Sequence, residues 1–355
     1  MNLSSRGLGA LLVAGAALVA LALWVSSRTP SEGEADANAP VLPGLEHDVN
    51  AITRVELAKG DGTHATLEKR ATDWIVAERG YPADSSRVRK LLLDLASLKV
   101  LEQKTSDPAS YSEIGVEDVA SPKATGTRID LVQPGKTTSL IVGKLSGNEG
   151  TFLRVVGAKQ SVLASPQLTP DADPRRWLDS TLINLPQNRI KQVAVKPATG
   201  PAYTVARASA QEPNFTVPDL PKGRELTSAS APDAVAGALA SLSLDDVRRS
   251  SGPGTDHATF QTFDGLTVDV TGSKMGDSRY IALRADSSAK GTADEAKELN
   301  TRLSGWDVEI PGYQYDAIFQ PLDGLLKKPE AKPVKAAEHS KGHKAAKPAV
   351  KKAAA

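Results

Sequence analysis

The chain has 355 residues, 40% of them apolar and 24% charged, with a formal net charge of +1 and no cysteine. The length allows two ordinary domains and the composition is that of a folding chain, while the missing cysteine excludes disulfides, thiolate metal sites, a Cys nucleophile and a lipid-modified Cys anchor. The charge is uneven: from Lys327 to Ala355 nine Lys face only Glu330 and Glu338, a net of +7, so the remaining chain carries −6, a balance that argues against a nucleic-acid-binding globular domain.

The stretch from Leu8 to Val25, LGALLVAGAALVALALWV, has no charge and no Pro. As a helix it would rise about 27 Å, near the ~30 Å hydrocarbon core of a bilayer. It is expected to be a single uncleaved membrane anchor in residues 1–27. A cleaved signal peptide is the rival, since Ala20-Leu21-Ala22 fits a cleavage site, but Leu23, Trp24 and Val25 continue the apolar run past it. Arg6 before the run and acids after it place the N-terminus in the cytoplasm and the bulk outside. Residues 28–47, acidic and Pro-containing, are expected to be a linker.

Residues 48–186 read as a first α+β module. Ile52, Val55 and Leu57 alternate with polar residues, and strands follow from Ala65 to Lys69 and from Asp73 to Val76. A helix begins near Asp84 or Ser85, with Val88, Leu91, Leu92, Leu95 and Leu98 on one face. Pro108 to Asp118 reads as a short helical turn and loop. Strands resume from Thr127, Thr138, Thr151 and Ser161, and a short helix around Asp173 to Asp179 closes the unit. Residues 187–322 start the order again, as an expected second module. Ile190, Val193 and Val195 repeat the first strand, and Phe215-Thr-Val217 matches Trp74-Ile-Val76. Leu239-Ala-Ser-Leu242 matches Leu95-Ala-Ser-Leu98 inside an expected second helix starting near Ser230 and Pro232. The run from Lys274 to Arg284 aligns with that from Lys144 to Arg154, and Trp306 with Ile310-Pro311 echoes Trp177 with Leu185-Pro186. The expected fold is therefore α+β: a transmembrane helix, then two tandem modules of mostly antiparallel sheet, each with a packed helix. Residues 323–355, rich in Lys, Ala and Pro, are expected to be a disordered tail.

The residues that could carry chemistry are few. The five His (His47, His64, His257, His339, His343) form no metal motif. Asp171-x-Asp173 has too few ligands for a calcium loop and is better placed to cap a helix before Pro174. Asp256-His257 beside Ser250 and Ser251 is the only local Ser/His/Asp grouping, without the G-x-S-x-G elbow that would support it. Gly143-Lys144 and the glycines at 147 and 150 lack a phosphate-loop pattern and read as turns of a hairpin. Asn214-Phe-Thr matches a glycosylation sequon. The basic groups Arg87-Val-Arg-Lys90, Arg175-Arg176 and Arg248-Arg249 read as solvated faces. No catalytic, cofactor-binding or metal residue is assigned, and no cofactor is expected.

The I-x-x-V-x-aliphatic strand, the W-x-V strand, Tyr111-Ser-Glu-Ile-Gly-Val-Glu-Asp, Val142-Gly-Lys and Phe152-Leu-Arg together resemble the DUF4340 family of bacterial membrane-anchored proteins, over most of residues 48–322. The loop departs mildly from the family pattern, with Val116 for Leu and Ala120 or Ser121 near a Pro position. The resemblance implies a non-enzymatic subunit in the inner membrane, facing the periplasm beside an ABC-type permease and ATPase. Its partners would be the bilayer, through Leu8 to Val25, and that membrane complex, with no nucleic acid. An envelope-polymer or anionic-surface binding module using the basic tail is the alternative, and an enzyme of unrecognised type a third.

Overall fold

In a computed structural model of the protein, residues 38–328 are described. They form an α+β fold in which every strand pairing is antiparallel. After a one-turn helix α1 (Leu45–Asp48), three strands meander: β1 (Arg54–Lys59), β2 (His64–Arg70) and β3 (Asp73–Val76). Their alternation buries Val55, Leu57, Ala65, Leu67, Trp74 and Val76 on one face. A short β4 (Tyr81–Pro82) leads into α2 (Ser85–Ala96). Asp84 caps that helix by accepting from the amides of Ser86 and Arg87 at 3.0 and 3.1 Å. The stripe Val88, Leu91, Leu92 and Leu95 is buried, each side chain contributing about 1.5–3 kcal/mol by leaving water. Then come β5 (Lys99–Gln103), the turn α3 (Tyr111–Ile114) and four strands: β6 (Thr127–Gln133), β7 (Lys136–Ser146), β8 (Gly150–Val155) and β9 (Ser161–Ser165). The first sheet has the order β4-β3-β2-β1-β6-β7-β8-β9-β5.

The second sheet follows β10 (Thr181–Ile183). It begins with β11 (Ile190–Lys196) and β12 (Tyr203–Ala206), then the single turn α4 (Asp233–Ala236) and β13 (Leu242–Ser243). It is completed by β14 (Asp246–Arg249), β15 (Asp256–Thr262), β16 (Leu266–Met275), β17 (Ser278–Ser287), helix α5 (Lys290–Leu303) and β18 (Trp306–Glu309). Two short helices end the fold, α6 (Gly312–Ile318) and α7 (Leu322–Leu325). The order is β12-β11-β15-β16-β17-β18-β14. Counted from β2 in the first sheet and β12 in the second, seven strands succeed one another in the same permuted order.

Four expectations change. The second helix does not run through Leu242: it stops at Ala236, because the Leu239 carbonyl accepts from Leu185 N at 3.0 Å and Leu242 pairs with β10. The backbone that a helix needs is spent on sheet contacts. Trp306 opens β18, the counterpart of β9, so it is not the equivalent of Trp177, which sits in a 3-10 turn. The folded body also starts earlier and ends later than the expected module limits. Leu42 and Leu45 are buried, as are Leu325 and Leu326. Finally, α5 is an element that the chain reading omitted.

Residues 38–41 form a strap along the free edge of β5. Asn38 N donates to Val100 O, Val100 N to Ala39 O and Val41 N to Leu98 O, each at 2.9 Å. At the opposite edge, β4 meets the second sheet. Tyr81 packs edge-on against Trp306, with centroids 5.2 Å apart, and the Arg249 guanidinium lies 3.9 Å from the Trp306 centroid. Arg79 makes a two-pronged ion pair with Asp246 at 2.7 and 2.9 Å. One hydrophobic core runs through both sheets. Among the described residues no helix is long and apolar enough to cross a membrane; the anchor expected over Leu8 to Val25 and most of the Lys-rich tail lie outside them.

Candidate functional site

Three of the motifs that carry the resemblance, Tyr111 to Asp118, Val142-Gly-Lys and Phe152-Leu-Arg, meet at one place on the first sheet. The segment from β5 to β6 folds over the outer face, where Tyr111, Val116 and Ile141 form a small core with Ile114, Phe152 and Val156. Arg154, 5% exposed, holds the loop down. Its Nε donates to Val116 O at 2.8 Å, one Nη donates to Asp118 Oδ1 at 2.8 Å, and the guanidinium lies 4.7 Å from the Tyr111 ring centroid. Lys144 Nζ donates to Glu113 O at 2.9 Å. Gly143 lets loop and sheet backbones touch: a Cβ there would lie 2.3 Å from Ile114 O. Tyr111, Gly143-Lys144 and Arg154 are thus one clamp, and its role is to seat a loop. In the second sheet the matching hairpin carries Arg284, whose side chain is 75% exposed and only loosely paired with Asp286 at 3.5 Å. No loop covers it, since β14 and β15 are joined by residues 250–255.

A second convergence was invisible in the chain. Between the two sheets lies a polar cleft of about 460 Å³. One wall comes from the start of α2 and the 3-10 turn Pro174–Trp177, with Asp84, Arg87, Asp173, Arg175 and Arg176; the other comes from β14 and β18, with Asp245, Asp246 and Glu309. Two of the three basic groups noted in the sequence therefore share a cleft. Asp173 caps its turn and is held below the usual carboxylate range, first by the Arg175 guanidinium, which donates at 2.7 to 3.1 Å. For Asp84, burial pushes upward, but hydrogen bonds from Ser86 and the helix amides outweigh it and the net shift is down. Asp245 goes the other way: burial, then the neighbouring Glu309 charge, raises it.

The remaining sequence candidates separate. Asp256 is buried, accepting from Ala198 N and Tyr315 Oη at 2.8 Å each, while His257 is exposed on the opposite face of β15. Ser251 donates to Asp307. These side chains form no triad. Asp171 and Asp173 serve turn and cap. Arg248 pairs with Asp307 and lies 3.7 Å from the Tyr280 ring centroid. In the sequon, Phe215 is buried under Arg207. Among the described residues no group of three or more His, Asp or Glu is placed to hold a metal ion.

No curated protein and no solved structure matches the chain. The family model described as a domain of unknown function, DUF4340, matches residues 74–262. The match runs from β3 into β15, taking in the clamped loop and much of the cleft. It covers more than half of the chain, and the protein belongs to the DUF4340 family.

Proposed function

We propose that this protein is a non-enzymatic accessory subunit, anchored in the bacterial inner membrane by residues 8–25 with its body in the periplasm, working beside an ABC-type transport complex. The observation that carries the reading is the strap. The chain leaves the apolar run at Val25 and joins the β5 edge at Asn38, with twelve residues between them. Such a tether holds the first sheet close to the membrane. The equal strand order of the two sheets supports a tandem pair of modules, with the limits near residue 186. On the first sheet, partner contact runs through a face and not through strand addition, since the strap covers β5 and Leu178 bridges to Ala83 beside β4. The solvent side of α2, with Arg89, Lys90 and the 55%-exposed Leu93, is the helix face available.

The test is photocrosslinking in intact membranes from a probe at Leu93, with a probe at Thr271 on the second sheet as control. A permease subunit captured from Leu93 alone is the expected outcome; absence of any membrane partner at both positions sinks the reading. Extraction with alkaline carbonate checks the anchor separately: release of the chain would mean that it does not span. The alternative, binding to an anionic envelope polymer, draws on the net charge of +7 from Lys327 onward. Sedimentation with cell-wall material that is lost on deleting residues 327–355 would favour it.

A further inference from the structure

We propose that the cleft between the sheets is a binding site for a small zwitterion, an α-amino acid or dipeptide. Asp245 and Glu309 take its ammonium, and Arg87 and Arg176 take its carboxylate. This goes beyond the accessory reading and does not depend on the anchor.

The first observation is a charge conflict on the β14–β18 wall. Register sets Asp246 directly opposite Glu309, and Asp245 N donates to Glu309 O at 2.8 Å. Three carboxylates are therefore crowded at one end of a strand pair, an arrangement that costs stability. Asp246 has its cation in Arg79. Among the described residues Asp245 and Glu309 have no ion-pair partner, and Glu309 accepts only a long 3.4 Å bond from Tyr280 Oη.

The second observation lies on the facing wall, where the sign is reversed and two of the three guanidinium groups are only loosely held. Arg175 is fully engaged by Asp173. Arg87 hydrogen-bonds only the carbonyl of Arg176. Arg176 reaches its nearest carboxylate, Asp171, at 3.9 Å with its side chain 68% exposed. The cleft thus presents carboxylates without a close ion pair on one side and loosely held guanidinium groups on the other, in a space of about 460 Å³. That volume is within the range of small-molecule sites, roughly 300–1,000 Å³, and far below what a protein partner needs. A diamine would leave the guanidinium wall unpaired and meet its repulsion, and a dicarboxylate would meet Asp245 and Glu309. Only a ligand carrying both charges satisfies both walls.

The experiment is calorimetric titration of the full-length protein in detergent with L-alanyl-L-alanine, its N-acetyl form and its C-terminal amide. Binding of the free dipeptide is expected, with each blocked form about tenfold weaker or worse, one charge contact being worth about that factor. Glu309→Gln is expected to abolish the preference for the free ammonium, and Arg176→Ala the preference for the free carboxylate, with far-UV circular dichroism unchanged. The proposal is overturned if no form binds up to about 10 mM, where a contact of ~3 kcal/mol would already register. It is equally overturned if blocked and free forms bind alike, or if Glu309→Gln leaves the ammonium preference intact. A failure here leaves the membrane crosslinking result untouched, and the reverse holds.

Discussion

Arg154 and Arg284 lie on matching hairpins, β7–β8 and β16–β17, one under a loop and the other open to solvent, which allows one residue type to be tested against itself. Arg154→Ala removes a guanidinium that is 5% exposed and serves Val116 O and Asp118 at 2.8 Å each. The bond to the buried carbonyl is charge-assisted, and losing it costs about 1.5–3 kcal/mol. The stacking on Tyr111 adds about 1 kcal/mol. Asp118 is 71% exposed, so its share is mostly screened and is counted as nothing. The expected loss is about 3 kcal/mol. Arg284→Ala removes a side chain already 75% exposed, and the expected change is within about 0.5 kcal/mol. Urea denaturation followed by tryptophan fluorescence would show it as a midpoint shift of about 1 M for Arg154→Ala, taking a slope near 3 kcal/mol/M. Arg154→Lys should recover little, because a single ammonium cannot serve both acceptors and lie flat on the ring. Equal losses at the two positions, or less than about 1 kcal/mol at Arg154, would refute the idea that the clamp carries the loop.

Tyr81 Oη is buried without a hydrogen-bond partner, so Tyr81→Phe should be neutral or stabilising by up to about 1 kcal/mol in the same urea assay; a loss of that size would reveal a hidden partner. Burial first, then Asp179, pushes the Tyr81 phenol up to about 12. The folded state therefore keeps its proton where the unfolded chain gives it up, and stability should fall as pH rises from about 10 towards 12; Tyr81→Phe should flatten that slope, and an unchanged slope would remove Tyr81 as its source. Gly272→Ala would set a Cβ 2.4 Å from Phe319 Cε2 and 2.6 Å from Tyr315 Oη, so α6 should lose its seat at a cost of about 1–3 kcal/mol, read as lost amide protection across Gly312–Ile318. A double-mutant cycle on Arg79 and Asp246 should give a coupling of about 1–3 kcal/mol for this half-buried fork; additivity would mean that the ion pair does not tie the sheets.

How much of this was legible depends on where the determining forces lie. The strands of the first sheet were readable because alternation is a local record of a half-buried face, as in Val55, Leu57, Ala65 and Leu67. The helix α2 was readable for the same reason, with four buried residues in register and an Asp cap. The helix α5 was not: its buried stripe is Thr292, Ala296, Leu299 and Leu303, too small and too polar to stand out. Ion pairs from Arg189 to Glu295 fix it to the start of β11, a long-range term that no window contains. Leu239 and Leu242 misled in the opposite direction, offering helical spacing where tertiary pairing with Leu185 and β10 prevailed. The motifs Tyr111, Gly143-Lys144 and Arg154 were visible as a pattern, but their common purpose needed three dimensions. The cleft left no local signal, because its walls are separated by some seventy residues.

The strap also fixes how mechanical load would enter the molecule. Tension on the N-terminal segment reaches the fold at β5, through three backbone hydrogen bonds. The contacts with the second sheet sit at β4, the other end of a nine-stranded order. Eight interstrand steps of about 4.8 Å separate the two along the sheet, roughly 38 Å of hydrogen-bonded ladder. A pull on the N-terminal segment would peel the strap before it reached the cleft, so the second sheet is insulated from it. The strap acts as a mechanical fuse, and the first sheet as the spacer behind it.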